Sequence, residues 1–216
     1  MPPALPRPRP ARAVLEGRYA RLEPLAASHA PDLFEASAAP GAEARFAYLF
    51  DVPPARPADM AAWIEKMSAG DDPLFSAVVD KASGRAAGRQ ALMRITPEHG
   101  VIEIGNILWG PAMARQRTAT EALYLAARHV FEDLGYRRFE WKCNDLNEPS
   151  KAAARRFGFS YEGLFRQHMW AKGANRDTAW FSMLDSEWPR RRREYDRWLD
   201  PANFDAAGRQ RSKLRT

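Results

Sequence analysis

The sequence predicts a single α/β (α+β) domain in which helices flank a mixed, mostly antiparallel sheet. The chain has 216 residues, the length of one ordinary domain, and 45% of them are apolar, which suffices for a hydrophobic core. Short alternating or β-branched runs are typical of strands, and other segments repeat apolar residues at helical spacing. An antiparallel set, two strand–helix units and a closing pair of strands follow one another, which is typical of a mixed sheet.

The elements predicted before residue 100 rest on local patterns. Met60, Trp63 and Ile64 define one face of a helix, and Pro57 suits its first position. A turn that contains Gly84 separates two apolar runs and indicates a hairpin. The elements expected here are a strand at 18–22, helices at 28–37, 42–49 and 57–69, and strands at 74–80 and 86–95.

The stretch around which the chain is organised places a strand, a basic loop and a helix in succession. Apolar and β-branched residues predict a strand at 101–109, which Gly110 and Pro111 end. The loop Arg115–Arg117 then leads to a helix that opens at Thr118. Free backbone amides and the positive end of the helix dipole would meet at this loop, so the unit predicts an anion-binding site.

The helix after this loop has start and stop signals. Thr118 and Glu121 fit a capping box, in which each side chain satisfies a free amide of the first turn. Gly135 suits the left-handed residue that ends a helix. The elements expected after it are a strand at 138–142, a helix at about 148–157, and strands at 159–168 and 178–184.

Composition and charge exclude several classes of protein. The one cysteine, Cys143, allows no internal disulfide and no cysteine-based metal site, and it is typical of a reducing compartment. Prolines interrupt the N-terminal segment, which therefore does not fit a signal peptide, and no apolar run is long enough to span a bilayer. We expect a cytoplasmic protein without a membrane partner. The net charge of +6 favours an anionic ligand, either a phosphorylated cofactor or nucleic acid.

The two ends of the chain differ from the predicted domain at 13–185. Residues 1–12 are rich in Pro and Arg and predict an extended, disordered arm. Residues 186–216 predict a basic helix that frays into a polar end. The run Arg190–Arg193 is typical of a solvated helix face, although it would also attract an acidic partner. We expect no nucleic-acid partner, and a homodimer through the tail helix stays open.

The segment Trp109–Arg166 resembles the GNAT acetyltransferase superfamily, in its RimJ/RimL-like branch. Three features carry the resemblance: the loop followed by A-T-E-A from Ala119, the N-x-x-S helix start from Asn147, and the G-F-x-x-E-G-x-x-R run from Gly158. The resemblance implies a twisted sheet with a V-shaped split that holds acetyl-CoA. The split lies between the central strand and the strand after the long helix, and no metal takes part.

The resemblance also implies which residues contact the cofactor. The pyrophosphate would lie on the loop Arg115–Thr120, Asn147 would bond the pantetheine arm, and Ser150 would lie close to the sulfur. The full set is Ile107, Leu108, Trp109, Arg115, Gln116, Arg117, Thr118, Ala119, Thr120, Asn147 and Ser150. Arg117 stands where the family usually has glycine. Its side chain either points away or bonds a phosphate, or else the loop binds the cofactor weakly.

Acetyl transfer to an amine needs an oxyanion site, a base and a proton for the leaving thiolate. A bulge within Asn106–Trp109 would supply backbone amides for the oxyanion. Glu103 is the first candidate for the base, the alternative being that it faces solvent. Glu140 is a second candidate that better suits a cross-strand charge partner.

Ser150 and Tyr161 are the hydroxyls available to protonate the thiolate, but Tyr161 better suits strand packing. Asn147 and Ser150 also suit an ordinary helix start, with Asn147 as N-cap, and the two roles are compatible.

The predicted function is an N-acetyltransferase that moves an acetyl group from acetyl-CoA directly to a primary amine. The acceptor is a small molecule or a protein N-terminus, and the sequence does not choose between them. The alternative is a non-catalytic acyl-CoA-binding or regulatory protein with a degenerate phosphate loop, which Arg117 would explain.

Overall fold

The computed structural model describes residues 4–216, so the first three residues of the predicted arm lie outside the described part. Within residues 4–216, eight strands form one sheet in the order β1-β2-β3-β4-β5-β6-β8-β7. The strands are β1 Leu15–Glu16, β2 Ala20–Pro24, β3 Leu74–Asp80, β4 Arg85–Thr96, β5 Val101–Trp109, β6 Arg138–Asn144, β7 Ser160–Ala171 and β8 Ala174–Leu184. Every neighbouring pair is antiparallel except β5 and β6, which are parallel.

The helices pack on both faces of this sheet. They are α1 Ala30–Ala38, α2 Ala42–Phe46, α3 Pro57–Ser68, α4 Arg117–Arg128, α5 Glu148–Arg156 and α6 Trp188–Leu199. A π-helical turn, His129–Asp133, continues α4, and Gly135 ends it with a left-handed φ of 68°, as predicted. The predicted fold class, a mixed and mostly antiparallel sheet flanked by helices, is confirmed.

Two apolar clusters form the core, one on each side of the sheet. On one side, α1 and α3 pack on β3 and β4 through Leu33, Met60, Ile64, Phe75 and Ala77. The larger cluster surrounds α4, in which every residue from Thr118 to Ala127 is buried. A helix with this much buried surface holds the central strands in place, because burial of apolar area is the main stabilising term.

The sheet opens between β5 and β6. These strands pair only from Val101 with Arg138 to Ile104 with Trp141. Beyond that point β5 continues along β4 to Trp109, whereas β6 continues along β8 to Asn144. The two strands therefore separate and leave a V-shaped split at their carboxyl ends.

A bulge in β5 lies in this split, within the predicted range. Gly105 pairs with Ala91 and Leu108 with Arg89, so Asn106 and Ile107 both lie opposite Gln90. Asn106 has a φ of 50°, a left-handed conformation that asparagine tolerates better than most residues. The extra residue interrupts the ladder where the two strands part.

The predicted capping box of α4 is wrong. The helix begins one residue earlier, at Arg117, and its N-cap Gln116 makes no side-chain capping bond. The Thr118 hydroxyl donates to Asp80 at 3.0 Å. The buried Glu121 carboxylate accepts backbone amides from the turn before β2, those of Arg18 at 2.9 Å and Ala20 at 2.6 Å, with Tyr19 between them. These amides need an acceptor once α4 covers them, and Glu121 is the acceptor within reach.

The C-terminal segment folds onto its own domain. Trp188, Tyr195 and Trp198 of α6 are buried, and Tyr124 of α4 stacks on Trp188 with ring centroids 6.1 Å apart. The apolar face of α6 is thus covered by the domain itself. A homodimer through this helix would have to use its basic face.

The residues that follow α6 are also held in place. Asn203 Oδ1 accepts the Ser212 amide at 2.9 Å, and the Thr216 hydroxyl donates to the Arg156 carbonyl at 2.8 Å. The expectation that this end frays is therefore wrong. It failed because these bonds join residues far apart in the chain, which a local sequence pattern does not show.

The N-terminal arm is extended, as predicted, but it contacts the domain. The Arg7 amide donates to the Pro97 carbonyl at 3.0 Å, and the Arg12 side chain donates to the Gly70 carbonyl at 2.7 Å. In the part of the chain that the structure describes, no helix combines the length and the apolarity needed to cross a bilayer.

Candidate active site

The first turn of α4 opens onto a cavity of about 620 Å³. The amides of Arg117, Thr118 and Ala119 precede the first possible intrahelical bond, and within residues 4–216 they donate to no protein acceptor. Since Glu121 is occupied elsewhere, these donors stay free. They add to the positive end of the α4 dipole, which favours an anion at this place.

Four arginines line the same cavity: Arg115, Arg117, Arg156 and Arg209. Arg117 is held to one side, with its guanidinium carbon 4.4 Å from the Tyr19 ring centroid and 5.4 Å from that of Phe204. Cation–π contacts of this kind fix a side chain without neutralising its charge. The Arg117 side chain is therefore directed towards Tyr19 and Phe204, while its charge stays at the loop.

Trp109, at the end of β5, forms one wall of this cavity. Its ring packs edge-on against Phe157, with centroids 5.8 Å apart. Its indole Nε1 is buried and has no hydrogen-bond partner in the described residues. A buried donor without an acceptor is costly in a folded protein, so this group suits a ligand oxygen.

A second, smaller cavity of about 100 Å³ lies deeper in the split. Predicted site residues line it from both strands and from α5: Glu103, Ile107, Asn147 and Ser150. The loop after α2 contributes Tyr48, Leu49 and Phe50. Leu108 lines neither cavity, and its side chain is buried. Tyr161 is half-exposed on β7 and lines neither cavity.

The start of α5 presents a hydroxyl to this smaller cavity. Asn147 Oδ1 accepts the Ser150 amide at 3.1 Å, which confirms Asn147 as the N-cap. The Trp141 indole donates to Ser150 Oγ at 3.0 Å. Because that bond uses the oxygen as an acceptor, the Ser150 proton remains available for another partner.

Glu103 is buried between two cations. Arg94 Nη1 lies 2.7 Å from Glu103 Oε1, and Lys142 Nζ lies 2.9 Å from Oε2. The alternative of a solvent-facing Glu103 is therefore wrong. Glu140 lies 2.7 Å from both Lys142 and Arg138. It is a charge partner, but of residues on its own strand β6, so the prediction of a cross-strand pair is wrong.

Comparison with known proteins agrees with this geometry. The family model described as "Acetyltransferase (GNAT) domain" matches residues 20–160. The chain belongs to the GNAT acetyltransferase family.

Three relatives of this GNAT protein show how far the likeness extends. A solved GCN5-related N-acetyltransferase from Brucella melitensis is 58% identical, with a TM-score of 0.96, and the match covers 98% of this chain and 96% of that one. The uncharacterized N-acetyltransferase p20 of Bacillus licheniformis is 33% identical over 143 residues, which are 64% of this chain and 76% of that protein. The solved RimL ribosomal L7/L12 α-N-protein acetyltransferase is 20% identical, with a TM-score of 0.69 and coverage of 84% and 99%. At that identity it shares the fold alone.

Several cations of the GNAT site escaped sequence analysis. Lys142 had a usable signal, since it alternates with Glu140 and so faces the same side of β6. Arg156, whose Nη1 lies 3.1 Å from Thr120 Oγ1, and Arg209 reach the larger cavity from distant segments. Arg94 and Arg176 reach the smaller one in the same way. No local pattern marks these four as neighbours of the split.

Proposed function

We propose that the protein is an acetyl-CoA-dependent N-acetyltransferase that transfers the acetyl group directly to a primary amine. The observation that carries the proposal is the adjacency of the two cavities along the split. Ile107 and Ser150 line the smaller cavity, whereas Trp109 and Pro149 line the larger one. An extended donor can thus place its phosphates at α4 and its reactive end beside Glu103.

Acetyl-CoA fits the groups that the larger cavity presents. The free first-turn amides of α4, with Arg115 and Arg156, would hold the pyrophosphate. The Trp109 indole N–H would donate to an oxygen of the pantetheine arm. Arg117 keeps the charge of the loop without covering these amides, which favours an enzyme over a degenerate binder. Bound acetyl-CoA supplies an activated thioester carbonyl.

The residues of the smaller cavity would then each perform one part of the acetyl transfer. Amides of the β5 bulge, next to Asn106, would stabilise negative charge that develops on the carbonyl oxygen. Glu103 would accept the proton that the amine loses as its nitrogen bonds to the carbonyl carbon. The Ser150 hydroxyl would give its proton to the departing sulfur, which leaves as the thiol, and the proton held by Glu103 would return to Ser150 through solvent.

The RimJ/RimL-like branch, suggested by the N-x-x-S and G-F-x-x-E-G-x-x-R motifs, stays part of this proposal. It would make a protein N-terminus one possible class of acceptor. A small amine is the other class of acceptor, and the size of the smaller cavity, about 100 Å³, favours it.

Thermal unfolding with acetyl-CoA, free CoA and ATP tests the donor site. A ligand at a hundred times its Kd stabilises the folded state by about 2.7 kcal/mol. We expect a rise in Tm with acetyl-CoA and CoA but not with ATP, followed by amine-dependent thiol release in an acceptor screen. No shift with millimolar acetyl-CoA would overturn the proposal.

A further inference from the structure

Arg176 is a buried cation of the smaller cavity that has no ion-pair or hydrogen-bond partner among residues 4–216. It belongs to β8, is 9% exposed and lines the cavity beside Phe50, whose ring centroid is 5.2 Å from its guanidinium carbon. Its Nε is buried without a hydrogen-bond acceptor. Among residues 4–216, no carboxylate oxygen lies within 4.0 Å of it.

Carboxylates on the neighbouring elements are already occupied. Glu103 holds both Arg94 and Lys142. Asp51 pairs with Arg89, Asp145 with Lys151, and Asp177 accepts the Gln167 amide. Burial lowers the pKa of Arg176, which reflects the cost of holding this charge away from water. A buried charge is retained at such a cost when a ligand or a partner group compensates it.

The missing anion does not come from the donor phosphates. Those phosphates are assigned to the first turn of α4, and Arg176 does not line that cavity. Arg176 instead faces the space next to Glu103, where the acceptor amine must lie. A guanidinium fork binds a carboxylate through two parallel hydrogen bonds, which gives orientation as well as affinity.

We propose that the acceptor is a small primary amine that carries a carboxylate, as an amino acid does, and that Arg176 binds this carboxylate. The proposal rests on the proposed N-acetyltransferase function. The cavity of about 100 Å³, bounded by Tyr48 and Phe50, suits a small molecule. Arg176 holds the carboxylate and so directs the amine towards Glu103 and the bulge of β5.

The test uses acetyl-CoA with three matched sets of acceptors: free amino acids, their amides, and the corresponding decarboxylated amines. Thiol release reports turnover. Hydrogen bonds between charged groups predict a kcat/KM about 100-fold higher for at least one amino acid than for its amide and amine. Arg176→Gln should remove this preference, mainly by raising KM for the amino acid. The matched control is Arg190→Gln, at an exposed position, which should keep the preference for the amino acid.

Two further measurements show whether a failure lies in this inference or in the proposed N-acetyltransferase function. Arg176→Gln should not lower the Tm of the free protein, because it removes an unpaired buried charge, and it should keep the stabilisation by acetyl-CoA. Absent stabilisation of the wild type would defeat the proposed function itself. If acetyl-CoA binds but amides or amidated peptides are acetylated as well as amino acids, the inference is overturned. A preference for phosphoethanolamine over every amino acid would overturn the carboxylate assignment.

Discussion

Lys142 Nζ lies 2.9 Å from Glu103 Oε2 where β5 and β6 stop pairing, so one ion pair bridges the two strands at the apex of the split. Both side chains are buried, and the Lys142 ammonium also lies 3.8 Å from the Trp180 ring centroid. A buried pair of this kind holds its partners in one geometry, because separating them would leave an uncompensated charge. Glu103 is therefore fixed at the place where an incoming amine would lose its proton.

Glu103→Gln tests the proposed base. Glutamine keeps the size of the side chain and one oxygen for Arg94 or Lys142, but it cannot accept the amine proton. We expect kcat to fall by about 100-fold or more, with the stabilisation by acetyl-CoA unchanged. Steady-state kinetics with a saturating acceptor measure this, and Glu140→Gln is the neighbouring control. An unchanged kcat would place the base elsewhere.

Replacing Arg117 or Arg156 tests the phosphate site. Arg156→Ala should weaken acetyl-CoA binding by roughly 5-fold, since a partly exposed charge contact contributes about 1 kcal/mol. Arg117→Ala should weaken it less, because Arg117 packs against Tyr19 and Phe204 and acts on the phosphates only through its charge. The difference from wild type should shrink between about 0.05 M and 0.5 M salt, because screening weakens exposed charges. Isothermal titration calorimetry at the two salt concentrations measures the Kd of each variant for acetyl-CoA, with Arg190→Ala as control. Tighter binding by Arg117→Ala would instead show that this side chain obstructs the loop.

Glu121→Ala tests whether this carboxylate holds the turn before β2 against α4. The change leaves three backbone amides without an acceptor in a buried place. We expect a loss of about 3 kcal/mol in the free energy of unfolding, or roughly 6–12 °C in Tm. Chemical and thermal denaturation measure it. The control is Glu65→Ala, at an exposed position, which should leave the free energy of unfolding almost unchanged. A similar loss of stability in both variants would contradict the assignment.

The Glu162–Arg138 pair predicts a change in stability at acid pH. Hydrogen bonds from Arg138 lower the pKa of Glu162 from 4.5 to about 2, although burial opposes them. Because the folded-state pKa is the lower one, the stabilisation is fully present above about pH 5 and is lost as pH falls towards 2.

Glu162→Gln should therefore be less stable than wild type near neutral pH, and the difference should narrow between pH 4.5 and about 2. Urea denaturation at several pH values measures it, with Glu65→Gln as the control. A difference that stays constant down to the lowest pH would argue against the pair as its source.

Local features of the site were predictable because they depend on residues close together in the chain. The bulge near Asn106, the Asn147 cap and the Gly135 helix end all follow from short patterns of β-branched, capping and glycine residues. The same patterns were misleading at Thr118 and Glu121. There the capping-box spacing was present, but a turn about 100 residues away competed for the carboxylate.

The sequence by itself determined the order and type of the elements, since apolar periodicity and turn residues report backbone conformation directly. It also determined that a basic loop precedes the N-terminus of α4. Only the tertiary structure decided which distant side chains meet in the split. Arg176 comes from β8, Phe50 from the loop after α2 and Arg209 from the C-terminal segment. The physical reason is that periodicity shows which face of an element is buried, whereas the partner of that face depends on how the whole chain packs.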